Sequence, residues 1–449
     1  MDRWVWARLR RYADRAAIIW DGRHTSYDKL LRRCRYWRER LKRQAISEGG
    51  VVVLRGDYSP ETIALFLALV RLRCVIVPMG ASRPESSGAS YEALCRARHR
   101  IRVDTADRVE IQHLPGRGDH RLYEELRRRQ RPGMVLFSSG SAGRPKAVVH
   151  DLPALWAKFQ AVRPAFKTIP FFLYDHIGGL DTMFYALLNG GCLVPVPDRR
   201  PSTVLRYIEQ YRVELLPVSP TFLNLVLLSE AYRHYDMSSL KRITYGTEPM
   251  PMTTLQRLHE ILPDVELVQS YGLSELGALG SRSERPDSLW VKIGGDRVRT
   301  RVVDGMLQIK SPSAMLGYLN QESPFTEDGW LVTGDRVEVK GDYYKILGRD
   351  VEVINVGGQK VYPAEVEDVI LATGRVEDVV VYGQPHPIMG QIVCADIRFK
   401  KGKAFGENAR TLKQDCRKRL EAFKVPVKIK EMTKDSYGQR FKKKRIPRA

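Results

Sequence analysis

The sequence predicts an α/β protein in two parts. Residues 1–347 read as a large domain of wound β-α-β subdomains with a small β-rich subdomain, and residues 348–449 as a smaller, mobile α+β lid. Three observations carry this. Val51 to Leu54, Pro60 to Arg71 and Val75 to Pro78 read as strand, helix and strand, a crossover that implies a parallel sheet. The order of strand, loop and helix then recurs without self-similarity, which marks winding and not a repeat array. From Arg299 the pattern turns to short alternating strands with tight turns at Asp304-Gly305 and Gly341-Asp342.

Each element follows from a local pattern. Trp4 to Tyr12 reads as an amphipathic helix, and Ala16 to Trp20 faces His24 to Tyr27 across Asp21-Gly22 as a strand pair. Residues 81–130 are polar and weakly periodic, and no element is assigned there. Met134 to Phe137 is an apolar strand that runs straight into small residues. Leu215 to Val218, Leu240 to Tyr245 and Val265 to Val268 are further strands, the first followed by a helix from Thr221. Three glycine- or serine-bearing loops thus follow strand ends, the edge of a parallel sheet where ligands bind. Beyond Gly348-Arg349-Asp350 come a helix over Pro363 to Leu371, strands near Val376 to Tyr382 and Ile392 to Phe399, a helix near Glu407 to Leu420 and a strand near Val427 to Met432.

Composition narrows the function. The 449 residues, 43% of them hydrophobic, suffice for two packed domains. Six cysteines form no C-x-x-C pair, so neither a zinc site nor a disulfide framework is indicated and a reducing cytoplasm is expected. The longest apolar run, Ile63 to Val70, is far below the roughly 20 residues of a membrane span. The formal net charge of +22 fits an anionic cofactor, an acidic carrier protein, a membrane surface or nucleic acid. No zinc-finger, RNP-type or helix-turn-helix signature accompanies it, which argues against nucleic acid as the primary partner.

The most informative stretch is Ser138-Ser139-Gly140-Ser141-Ala142-Gly143-Arg144-Pro145-Lys146. Glycines and hydroxyls free backbone N–H groups to converge on an anion, and Lys146 adds a point charge. Only two residues separate Gly140 from Gly143, so this is not the G-x-x-x-x-G-K-[ST] loop. It resembles the [ST]-[SG]-G-[ST]-[ST]-G-x-P-K phosphate loop of the adenylate-forming enzymes: acyl- and aryl-CoA synthetases, peptide-synthetase adenylation domains and luciferases. Further motifs appear in the family's order from Ser138 to Glu367.

Tyr271-Gly272-Leu273-Ser274-Glu275 resembles the Y-G-x-[ST]-E motif, which implies Glu275 as a Mg²⁺ ligand. Gly246-Thr247-Glu248-Pro249 resembles the adenine-contacting loop, with Thr247 where the family more often has glycine. Thr333-Gly334-Asp335 is similar to the motif whose aspartate accepts from the ribose hydroxyls, and Gly348-Arg349 to the pair before the hinge. Gly357-Gly358 and Pro363-Ala364-Glu365-Val366-Glu367 match the pattern downstream. Phe171 to Leu180 resembles the gate bordering the acyl pocket, which implies His176 as the gate and Ile177, Gly178, Gly246 and Gly272 around the acid. Ile177 stands where peptide-synthetase domains place the aspartate for an α-ammonium, so a fatty or aryl acid is expected.

The resemblance implies ATP, Mg²⁺ and coenzyme A, with a carboxylic acid as substrate. Alternatives are loading of an acidic acyl carrier protein or an amine, and a catalytically weakened AMP-binding partner. Two departures bear on this. Val351 and Asn355 replace charged hinge residues. In Tyr437-Gly438-Gln439-Arg440-Phe441-Lys442, Gln439 stands where the family has the lysine that bridges substrate carboxylate and α-phosphate. Gln439 carries no charge, and Arg440 or Lys442 to Lys444 are neighbours that a shifted loop would deliver.

Overall fold

The computed structural model describes residues 3–139, 145–295, 297–400, 404–433, 437–438, 441–443 and 445, with backbone alone at 85–89 and 139. Among these, the strands of the large domain form two seven-stranded sheets, a six-stranded one and a two-stranded one. One seven-stranded sheet runs in the order Glu266–Gln269, Arg242–Tyr245, Leu215–Val218, Lys167–Thr168, Cys192–Leu193, Ala16–Trp20, Arg23–Ser26. Its strands are parallel up to the antiparallel pair at the N-terminal edge. The other places Gly133–Ser139 between Val75–Gly80 and Pro145–Asp151, parallel to the first and antiparallel to the second.

The predicted crossover is present: Val51–Gly56 and Val75–Gly80 pair in parallel around helix Pro60–Arg71. That helix is apolar on every side, so it has no face to offer water. Accordingly all ten residues from Thr62 to Val70 with Pro60 are buried, and with helix Ile177–Asn189 it fills the core shared by the two sheets. Helices Pro201–Tyr211, Pro220–Ser229 and Met252–Ile261 cover the first sheet from outside, and Arg121–Arg128 covers the second. The layers alternate helix and sheet.

Several expectations are corrected. The three strand-end loops do not share one sheet: Gly246 and Ser270 end neighbouring strands of the first, whereas Ser138 belongs to the second. Ser138 and Ser139 extend the strand, because they pair with Lys146 and Pro145. Residues 81–130 hold helices Glu85–Leu94 and Arg121–Arg128 and strands His99–Val103 and Val109–His113. Among the described residues all six cysteines are free and buried, and no helix is long and apolar enough to cross a membrane.

The division expected at 347/348 falls inside strand Tyr343–Arg349, which belongs to the six-stranded sheet. A five-stranded sheet begins at Ile354 and is packed by helices Pro363–Leu371 and Phe405–Arg417 through Val366, Ile370, Leu412 and Cys416. This smaller unit meets the larger one across helices Pro220–Ser229 and Met252–Ile261, where Asn224 donates to the Glu377 carbonyl and Asp368 accepts from Thr253 N–H.

Candidate active site

A cleft of about 570 Å³, open mouth included, lies where these units meet. Its floor is two adjacent strand ends of the first sheet. Gly246 follows Arg242–Tyr245, and a Cβ there would stand 2.5 Å from the Ser270 carbonyl oxygen, so only glycine lets the two loops touch. Thr247 follows at φ +77°, a left-handed conformation that a β-branched residue rarely adopts. Tyr271–Leu273 is itself a short strand paired with Gly277–Leu279, and Gly272 is required because a Cβ would sit 2.8 Å from Ala278 Cα.

Asp335 is set by strand register. Leu331–Lys340 and Tyr343–Arg349 pair so that Asp335 stands opposite Arg349, whose Nε lies 2.9 Å from Oδ1. The Tyr271 hydroxyl donates to Oδ2 at 2.5 Å. Asp335 is only 6% exposed, and burial pushes its carboxyl above the usual carboxylate range, outweighing Arg349 and Tyr271. Hydroxyl donors from a ligand would relieve that desolvation. The predicted residues Gly246, Thr247, Glu248, Tyr271, Gly272, Leu273, Asp335 and Arg349 all line this one cleft.

Glu248 does more than line it. Its Oε1 accepts from Thr221 N–H at 2.8 Å and from the Thr221 hydroxyl, while Oε2 accepts from Lys443 N–H at 3.1 Å. It therefore ties helix Pro220–Ser229 to the C-terminal tail.

Ser274, Glu275 and Lys146 form a neighbouring group. Glu275 lies in the turn between Tyr271–Leu273 and Gly277–Leu279. Buried His150, whose imidazole burial lowers to about 4, donates to the Ser274 carbonyl at 2.6 Å and fixes that turn. Tyr318 was not singled out from the sequence: its hydroxyl donates to Glu275 Oε1 at 2.7 Å, and Lys146 Nζ stands 5.5 Å from its ring centre. Nothing in the pattern around Gly317-Tyr318 would have signalled this. Ser138 pairs with Lys146 across the hairpin. Gly140, Ser141, Ala142, Gly143, Gln439 and Arg440 lie outside the described residues.

Among the described residues no three His, Cys, Asp or Glu side chains form a metal cage. A lone carboxylate such as Glu275, held by a hydroxyl on one oxygen, suits Mg²⁺, which keeps several waters and completes its shell with substrate phosphates.

His176, Ile177 and Gly178 stand apart from the cleft lining. His176 caps helix Ile177–Asn189, its Nδ1 accepting from Gly178 N–H at 3.1 Å. At Gly179 a Cβ would meet the Tyr58 hydroxyl at 2.2 Å and the Leu173 carbonyl at 2.4 Å, which explains the glycine pair as a close approach. An aromatic chain links His176 to Phe172 (5.3 Å), Phe172 to Phe171 (5.8 Å) and Phe171 to the tail residue Phe441 (5.3 Å).

The tail contributes to the lining of the cleft. Tyr437 bridges Lys443, Phe441 N–H donates to the Gly438 carbonyl at 2.9 Å, and Lys442 and Arg445 line the cleft together with Asp335. Arg445 makes a bidentate pair with Glu367, at 2.9 and 3.1 Å, and reaches Glu352 at 2.9 Å. Lys443 Nζ donates to the Val379 carbonyl at 2.8 Å and stands 3.4 Å from Glu367.

Fold and cleft together define the class, a two-domain adenylate-forming architecture. The chain belongs to the AMP-binding enzyme family, which it matches over residues 5–319, and residues 365–436 match the C-terminal domain of AMP-binding enzymes. It is 27% identical over 340 residues to the long-chain-fatty-acid–CoA ligase of Bacillus subtilis (strain 168), covering 68% of this chain but only 60% of that ligase. It is 25% identical to the 2-succinylbenzoate–CoA ligase of the same organism over 468 residues, 95% of this chain and 93% of the relative. An anthranilate CoA ligase solved in complex with anthranoyl-AMP shares the fold, with a TM-score of 0.83 at 20% identity over 98% of this chain and 95% of its own.

Proposed function

We propose that the chain activates a fatty or aryl carboxylic acid with ATP as an acyl-adenylate and passes the acyl group to the thiol of coenzyme A. The observation that carries this is Asp335: a buried carboxylate opening on a cleft, oriented by Tyr271 and Arg349 to accept from a pair of hydroxyls, as a ribose offers. Gly246 and Gly272 line the same cleft and would receive the adenine. Ser138 to Lys146 would receive the phosphates, and Glu275 with them would hold Mg²⁺. The bound cation neutralises phosphate charge. His176 borders the acid, reached through Phe171 and Phe172. Relatives named as CoA ligases support the acceptor. The net charge of +22 suits an anionic one.

The test is a panel of carboxylic acids scored for pyrophosphate release with and without coenzyme A. Release with one acid class, and AMP release accelerated by coenzyme A, is expected. Acceleration by an acyl carrier protein or an amine instead would move the reading to those acceptors. AMP binding without pyrophosphate exchange for any acid would make the chain a weakened AMP-binding partner.

A further inference from the structure

The sequence has no lysine at position 439, yet among the described residues the cleft is lined by one cation that makes no ion pair. Three cationic side chains of the described tail and its surroundings reach the cleft: Arg349, Arg445 and Lys442. Arg349 is committed to Asp335 at 2.9 Å, and Arg445 to Glu367 and Glu352. Among the described residues Lys442 has no carboxylate within 4.0 Å. It lines the same cleft as Asp335 and the Gly246 loop.

Its neighbours explain how it gets there. Phe441, at φ +48°, lodges against Phe171 at 5.3 Å and Phe222 at 5.9 Å and stacks on Tyr437 at 5.4 Å. Lys443 is tied through its N–H to Glu248 and through Nζ to Val379 and Glu367. Arg445 is bidentate on Glu367. Alternate residues 441, 443 and 445 are thus anchors, and the one between the first two lines the cleft. A left-handed backbone at a bulky residue is sustained only where surrounding contacts over-determine it, and here the aromatic box does so.

We infer that Lys442 is the phosphate-directed cation of this cleft, delivered by a tail whose register Phe441, Lys443 and Arg445 fix, in place of the lysine absent at position 439. This rests on the adenylation reading. In that step a carboxylate oxygen of the acid bonds to the α-phosphorus as the bond to the departing pyrophosphate oxygen breaks, and the pyrophosphate leaves with the electron pair. No proton moves, so the need is for positive charge between two anions and not for an acid. Burial pulls the Lys442 ammonium below the usual lysine range, with Arg349 and Arg445 acting in the same direction and Glu352 and Glu248 against it. The geometry of the anchors carries the assignment independently of that shift.

The experiment uses the full chain and two probes, AMP and adenosine, measured by calorimetry, together with acid-dependent ATP–pyrophosphate exchange. Lys442→Gln should weaken AMP by about tenfold while adenosine stays within about twofold, and should slow exchange about a hundredfold. Lys442→Arg should recover most of the AMP affinity. Equal AMP affinity in wild type and Lys442→Gln, or equal losses for AMP and adenosine, overturns the assignment. If wild type exchanges and Lys442→Gln exchanges as fast, the assignment fails and the adenylation reading stands. If wild type exchanges with no acid but Lys442 still discriminates AMP from adenosine, adenylation fails and Lys442 stands as the phosphate cation.

Discussion

Glu367→Gln should release the tail without unfolding the protein. Glu367 is 2% exposed and meets four donors: two from Arg445 at 2.9 and 3.1 Å, Lys443 Nζ at 3.4 Å and Val381 N–H at 3.0 Å. Removing its charge leaves two cations in a desolvated site, and breaking a buried pair this way costs about 3–5 kcal/mol. Glu352 still reaches Arg445 at 2.9 Å, and Asp378 lies 3.9 Å from Lys443, so the lower end, about 3 kcal/mol, is expected. The tail can escape that cost by undocking and hydrating its own cations. At 1.4 kcal/mol per factor of ten, the undocked population should rise on the order of a hundredfold. Limited trypsin digestion reads this directly, because cleavage at the basic tail tracks the open population when opening is fast. The expected result is cleavage about a hundredfold faster at Lys442 to Arg445 with little change in melting temperature. Unchanged cleavage, or a global loss of the whole amount, would refute the reasoning. The pH dependence has a definite sign. Burial raises the Glu367 carboxyl, but Arg445 and Lys443 outweigh it and the net shift is downward. A lowered carboxyl contributes stability that is present above its unfolded value, about 4.3, and lost as pH falls through the lower folded one. Wild-type tail protection should therefore persist through the ordinary glutamate range and fail only in stronger acid.

Other outcomes follow from the same geometry. Asp335→Asn should weaken AMP and adenosine alike, by about ten- to a hundredfold, since a charged acceptor for hydroxyls contributes about 1.5–3 kcal/mol; calorimetry with both ligands checks it. Thr247→Gly removes a β-branched residue from φ +77° and should stabilise by about 1 kcal/mol after the entropy of the added glycine, read as a small rise in melting temperature. Gly179→Ala forces a Cβ to 2.2 Å from the Tyr58 hydroxyl and 2.4 Å from a carbonyl, and should destabilise by about 1–3 kcal/mol in denaturant titration. If Lys442 acts as a cation, exchange should fall on the alkaline side at a pH below that of an ordinary lysine, and Lys442→Arg should abolish that limb within the measurable range.

Much of this was legible because local rules sufficed. The crossover at residues 51–78, the hairpins at Asp304-Gly305 and Gly341-Asp342, and the glycines at 246 and 272 each follow from patterns within a few residues. What failed depends on distant partners. Whether Ser138 and Gly246 share a sheet is decided by pairings with Lys146 and Val218 side strands that no local pattern encodes. The segment 81–130 was opaque because strand Val109–His113 lies half in solvent and Arg121–Arg128 buries only Leu122, Tyr123 and Leu126 among charges. Tyr318 reaches Glu275 across 43 residues and Arg445 reaches Glu367 across 78, contacts visible only once each unit is folded. Conversely, the sequence alone raised Lys442 as one of several substitutes, and the committed partners of its neighbours narrow that group.

The most direct measurement is a crystal structure of the full chain with AMP. The account predicts ribose hydroxyls on Asp335, the base between the Gly246 and Gly272 loops, and the phosphate turned toward Lys442. A nucleotide bound elsewhere, or one whose sugar is remote from Asp335, would contradict it.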